Sequence, residues 1–203
     1  MIAILTSNGP NSSPQVKQAI TGLVIREIGS FEGLKVAFIV NAVPVFLRKA
    51  VCSNRARYFK ALGCDVQFLD LAEPFQDNRY LLSSAQLIYV EGGNTFQLQL
   101  DLLNSGLSEQ IISQVRDKGK IFIGTSAGSI IATPDIQTAA WFGDRVVKGM
   151  ERRSWLSLGL VPFAVYPHYR ATHQKKLGMC GYELHTLKNG QAVVVDGNEK
   201  FLI

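Results

Sequence analysis

The chain has 203 residues, of which 47% are hydrophobic and 18% charged, with a formal net charge of +5. That length suits one domain, and the composition is that of a folded globular protein rather than a disordered one. Its apolar runs are much shorter than the roughly 20 residues that a membrane helix needs. The basic residues are scattered, with "ERR" (151–153) and "QKK" (174–176) as the densest groups, so nothing makes the continuous stripe that nucleic acid requires.

The N-terminus "MIAILTSNGP" lacks a basic leader and reads as a first buried strand, which predicts a cytoplasmic protein. Cys52, Cys64 and Cys180 are too far apart for a metal-ligand or redox pair and predict free thiols in a reducing compartment.

In chain order, apolar runs at 1–5, 35–40, 65–69, 86–90 and 120–124 read as buried strands. Between them, 14–28, 45–62, a short segment near 79–84 and 96–117 read as helices. In the second, Leu47, Val51, Tyr58 and Leu62 recur at near-helical spacing and Gly63 supplies the stop. Strand and helix alternating in this way predict an α/β fold with a mostly parallel sheet and helices on both faces.

Beyond residue 134 the pattern weakens. Residues 141–149 and 191–203 read as strands or hairpins, the second turning at "DGN", with an irregular helix between them. No linker or repeat divides the chain.

Ligands in such folds bind beyond the carboxyl ends of the strands. Three strands here are followed by polar or glycine-rich turns, "TSNGPNSS", "EGGNT" and "TSAGS". The last belongs to "FIGTSAGSII" (122–131), a strand, a sharp turn and a helix start, matching Gly-x-Ser-x-Gly with Gly124, Ser126 and Gly128. This is the nucleophile-elbow pattern, in which the glycines make room for a sharp turn and the helix end favours a developing anion. The same residues also suit a helix cap or a phosphate cradle.

A serine nucleophile needs a base, an orienting group and oxyanion donors. Of the three histidines, His168 follows an apolar run and Pro167, which places it at a strand end, whereas His173 and His185 lie in more polar sequence. Gly92 and Gly93 permit close backbone approach and could turn free N–H groups toward Ser126. Asn94 either caps the following helix or meets the substrate.

Together "VEGGNTFQL" (90–98), "GTSAGS" (124–129) and "YPHY" (166–169), in this order and spacing, resemble peptidase family S51, which contains aspartyl dipeptidase and cyanophycinase. The resemblance implies a three-layer α/β/α sandwich of the class I glutamine amidotransferase-like, flavodoxin-like kind. It also implies a serine peptidase acting on small peptides without metal or cofactor, with Ser126 as nucleophile, His168 as base, and Gly93 and Ala127 amides as the oxyanion hole.

In the family an aspartate lies fifteen residues beyond the nucleophile, and that position here is Trp141. The family also carries a carboxylate in a late Glu-Gly-Asn turn, for which "DGN" offers Asp196. The expected orienting acid is therefore Asp196, with Asp135 or Asp144 behind it, although Asp-Gly is also ordinary hairpin chemistry. Arg170 or Lys175 would supply a cation for an acidic substrate side chain.

A binding homologue with an incomplete triad is the alternative. An α/β-hydrolase esterase would leave "GGNTFQL" unexplained, and a class I amidotransferase would carry cysteine at the elbow. A small peptide is the expected partner, with no nucleic acid and no membrane, and a homodimer is allowed.

Overall fold

The computed structural model describes residues 1–73, 75–178 and 181–203. Among these, seven strands form one sheet in the order β3-β2-β4-β5-β1-β8-β9. They are β1 (Ile2–Thr6), β2 (Lys35–Ile39), β3 (Asp65–Leu69), β4 (Leu87–Val90), β5 (Ile121–Thr125), β8 (Ala192–Asp196) and β9 (Glu199–Leu202). The first five run parallel, and β8 and β9 return antiparallel to their neighbours. A two-stranded parallel ribbon of β6 (Ala164–Tyr166) and β7 (Leu184–Thr186) stands apart from this sheet.

Alternation along each strand sorts the core into two layers, because successive side chains leave a strand on opposite faces. Ile2, Ile4, Val36, Phe38, Leu87, Tyr89, Ile121 and Ile123 pack on one face against α1 (Pro14–Ile28) and α2 (Val45–Ala61). Ala3, Leu5, Ala37, Ile39, Ile88, Val90 and Phe122 fill the other core. Helices α3 (Phe75–Ser84), α4 (Thr95–Ser105), α5 (Ser108–Arg116), α6 (Ala127–Ile130) and α7 (Gln137–Phe142) follow the other connections. The architecture is the three-layer sandwich that the alternating pattern predicts.

Several local expectations need correction. The stretch 96–117 is two helices, because Gly106 takes the left-handed conformation at φ 66° and ends α4. Helix α2 buries Cys52, Ala56 and Phe59, while Leu47 is exposed, so its core stripe lies one position away from the one expected. No strand forms at 141–149: Trp141 and Phe142 end α7, and Gly143 closes that helix in the left-handed region. The segment read as an irregular helix opens with a 3₁₀ turn over Ala171–Lys176 and contains β7.

Cys52 and Cys64 are free and buried, and burial pushes both thiols up to about 11. Cys180 lies outside the described residues. Among those described, no helix is long and apolar enough to cross a membrane.

Candidate active site

Parallel pairing of β1, β5 and β4 brings three turns together at one edge of the sheet, where Thr6 registers with Thr125 and Val90 with Gly124. Ser126 follows Thr125 directly and sits at φ 51°, ψ −108°. A positive φ is unfavourable for serine, and such strain persists only where surrounding structure holds it. Here Ser126 N–H donates to Thr6 O at 3.0 Å, while Ser126 O accepts from the amides of Ser129 and Ile130.

The flanking glycines have a steric cause. A Cβ on Gly124 would lie 2.4 Å from Gly128 O, and one on Gly128 would lie 2.1 Å from Val90 O. Both are hard backbone contacts, as the tight turn read in the sequence demands. Helix α6 is only four residues long, so its macrodipole is small, and the expected dipole contribution gives way to the individual Ala127 N–H.

His168 meets the serine from the far side of the site. It too has a positive φ, 53°, and its N–H donates to Ser7 Oγ at 2.8 Å. Its Nε2 lies 3.0 Å from Ser126 Oγ and its Nδ1 lies 2.7 Å from Asn189 Oδ1. A carbonyl oxygen only accepts, so the proton of the neutral ring belongs on Nδ1, leaving Nε2 free to accept from the Ser126 hydroxyl. The ring of Phe142 packs on the imidazole at a centroid distance of 5.5 Å.

Asn189 therefore occupies the place expected of a carboxylate. Asp196 pairs with Ile2 at the start of β1, while Ser126 follows the residue paired with Thr6. The two ends lie about 13 Å apart at the rise of a strand. Arg26 holds Asp196 in two hydrogen bonds of 2.6 and 2.8 Å and keeps its carboxyl below the usual carboxylate range.

Asp135 accepts from the amide of Gln137 and Asp144 from the amide of Thr95, so both serve helix starts. Sequence reasoning sought a carboxylate and passed over "KNGQ" (188–191), a second late turn of the right shape. An amide can orient a histidine through its carbonyl oxygen, and that was the signal available.

The remaining predicted residues divide. Gly92 lies against the serine, since a Cβ there would sit 3.1 Å from Ser126 Cβ. Gly93 has φ 146°, and a Cβ on it would lie 2.0 Å from Ala42 O. Among the described residues, neither Gly93 N–H nor Ala127 N–H donates to another protein group. Asn94 caps α4, with Oδ1 accepting from Gln97 N–H at 2.9 Å and Nδ2 donating to Arg145 O at 2.9 Å. Its side chain is thus committed to the scaffold rather than open to substrate.

Arg170 lines a cavity of about 440 Å³ with Phe142, His168, His173 and Asn189. No carboxylate pairs with it among the described residues. Lys175 is not among that lining, and His185 pairs with Glu183 at 3.2 Å, away from the serine. Among the described residues, no three His, Cys, Asp or Glu side chains gather to hold a metal ion.

A hydroxyl on a histidine beside two free backbone amides, at the strand ends of an α/β sandwich, defines a hydrolase-type constellation. The family model "Peptidase family S51" matches residues 3–203, and the chain belongs to that family of peptidases. It is 29% identical over 178 residues to an uncharacterized peptidase of Listeria monocytogenes, covering 84% of this chain and 86% of that one. It is 39% identical over 93 residues to a Drosophila melanogaster protein named "probable alpha-aspartyl dipeptidase", covering 46% of this chain and 37% of that one. A crystal structure of a Listeria monocytogenes protein assigned to peptidase E superposes with a TM-score of 0.82 at 26% identity, covering 100% of this chain and 97% of that one.

Proposed function

We propose that the protein is a serine peptidase that cleaves short peptides through an acyl-enzyme on Ser126, with a preference for an acidic residue on the acyl side. The observation that carries this reading is the 3.0 Å contact between Ser126 Oγ and His168 Nε2. His168 Nε2 takes the hydroxyl proton as Oγ attacks the scissile carbonyl carbon. The oxyanion forms against the N–H groups of Gly93 and Ala127. Asn189 Oδ1 accepts from Nδ1–H and keeps the imidazolium in line.

The C–N bond breaks as His168 returns the proton to the leaving amine. Water then attacks the ester, giving its proton to His168, and Ser126 recovers its proton as the carboxylate leaves. Arg170 suits the acyl-side acid because a guanidinium can grip a carboxylate through two parallel hydrogen bonds. The name of the Drosophila relative supports the same substrate class. A non-hydrolysing homologue was the alternative motivated by Trp141, and Asn189 on the histidine weakens that motive.

The substrate reading is tested with paired dipeptides, Asp-Leu and Ala-Leu, on wild type and Arg170→Gln. Wild type should favour Asp-Leu, and the variant should raise KM for Asp-Leu by about tenfold, the scale of one hydrogen bond to a charged group. Turnover of Ala-Leu should change little. No preference in wild type, or an unchanged KM in the variant, would remove Arg170 from the substrate site.

The orienting group has its own test. Asn189→Ala should cost kcat on the order of 10²-fold, because the ring loses its tautomer and direction. Asp196→Asn should leave kcat/KM within about twofold, since this exposed ion pair lies outside the site. The reverse ranking would return the role to Asp196.

A further inference from the structure

We propose that Glu91 is a positioning residue for this reaction: its carboxylate holds the Gly92–Gly93 turn against Ser126, with Arg55 as counter-charge. The inference rests on the reading of Ser126 and Gly93 given above. A carboxylate that is 2% exposed at a strand end is costly and calls for an account. Glu91 Oε1 accepts from Gly92 N–H at 2.8 Å, the amide immediately before Gly93. Its Oε2 accepts from Tyr89 OH at 3.3 Å, and Arg55 Nε approaches the same oxygen to 3.9 Å.

Tyr89 and Glu91 are two residues apart and leave the chain on the same face, the one covered by α2, which is how Arg55 reaches them. The turn is pinned at its other end as well. Asn94 N–H donates to Ala42 O at 2.8 Å, and the close contact between Gly93 and Ala42 leaves no slack. Held at Gly92 N–H on one side and at Asn94 N–H and Ala42 on the other, the turn leaves the Gly93 N–H between them little freedom to reorient.

A second path runs from Glu91 to the serine turn. Tyr89 OH lies 2.9 Å from Thr125 Oγ1, which lies 3.2 Å from Thr6 Oγ1, and Thr6 donates to Gly124 O at 3.0 Å. A line of hydroxyl contacts thus runs from the backbone that offers the oxyanion donor to the backbone that presents the nucleophile, with Thr125 giving its one proton to either Tyr89 or Thr6. An ionised Glu91 draws the Tyr89 hydroxyl proton toward itself and leaves Thr125 to donate to Tyr89, whereas a protonated Glu91 would donate to Tyr89 and turn the Tyr89–Thr125 bond around.

The titratable groups facing Glu91 are Arg55 and Cys52 from α2 and Tyr89 from β4. Burial raises the Glu91 carboxyl above its ordinary range, against the opposing pull of the Gly92 amide, Arg55 and Tyr89.

Glu91→Gln keeps the shape and an acceptor oxygen but removes the charge, and Glu91→Leu removes both. The glutamine variant should fold and lower kcat about tenfold with KM within about threefold of wild type. The leucine variant should approach the 10²-fold or greater loss that follows removal of an oxyanion donor. The acid limb of kcat against pH should become shallower in Glu91→Gln, because a carboxyl that must be unprotonated is gone.

An activity-independent readout is the pair of Gly92 and Gly93 amide resonances, which should titrate with Glu91 in wild type and shift in Glu91→Gln. Wild-type kcat and pH profile in the glutamine variant, or unmoved Gly92 and Gly93 amides, would overturn the proposal. An inactive wild type whose amides behave as described would instead count against the peptidase reading alone.

Discussion

Ser126→Ala is expected to lower kcat on a cleavable dipeptide by about 10⁴-fold or more, His168→Ala by a similar factor, and the double variant by little beyond either one. The reason is geometric. The hydroxyl and imidazole meet at 3.0 Å, and in the proposed mechanism each acts only through the other, so removing one leaves nothing for the second to do. Their effects cannot add.

The backbone sharpens the expectation. Ser126 and His168 are the only non-glycine residues with positive φ among those described, and each stands on opposite sides of one hydrogen bond. Strain of this kind costs on the order of 1–3 kcal/mol per residue. Ser126→Gly should therefore be as inactive as the alanine variant yet more thermally stable than wild type, since glycine relaxes the turn. A thermal melt beside the kinetic assay reads both effects. Additive losses in the double variant would mean that serine and histidine do not work as a unit.

The largest expected loss of stability is at Gly128. An alanine there puts its Cβ 2.1 Å from Val90 O, and Val90 is registered with Gly124 in the β4–β5 pairing. Neither partner can withdraw without opening the sheet beneath the site, so overpacking should cost about 3 kcal/mol or more. For a chain of this size that is a fall in Tm of roughly 6–12 °C. Gly124→Ala meets Gly128 O at 2.4 Å and should behave alike.

Gly22→Ala is the control. That exposed residue within α1 leaves open space where an alanine Cβ would go, so alanine should stabilise the helix by about 0.5–1 kcal/mol. Equal melting temperatures for Gly128→Ala and Gly22→Ala would show that the turn is loose and that Gly128 is replaceable.

What the sequence made legible follows from local physics. Four buried strands, β1, β2, β4 and β5, announce themselves because a parallel strand covered on both faces is apolar throughout, whereas β3, also expected to be buried, lies at the sheet edge and buries only Leu69. Gly124 and Gly128 are readable because only glycine tolerates the approach of backbone oxygens at those positions. His168 is readable from its place after β6 and Pro167.

The failures share a different cause, which is that the deciding neighbour lies far away in the chain. Asn189 is brought to His168 by the path from β7 to β8, and nothing within its own turn separates "KNG" from "DGN". The carboxylate made "DGN" attractive, but the antiparallel return of β8 carries Asp196 to the other end of the sheet, where Arg26 of α1 meets it. The face of α2 was misplaced for a similar reason. Phe59 and Tyr58 are adjacent and both aromatic, and only packing against Tyr89, at 5.1 Å between ring centroids, selects Phe59 for the core. Glu91 hides in plain sight, because a glutamate beside two glycines reads as a surface turn until α2 is laid over it.

Activation of Ser126 by His168 carries the proposed mechanism. Its most direct measurement is labelling of the native protein with a fluorophosphonate, followed by intact mass and peptide mapping, with His168→Ala treated in parallel. The expected result is one adduct per chain on Ser126 and a much slower reaction in the variant. Labelling elsewhere, no labelling, or an equal rate in His168→Ala would contradict it.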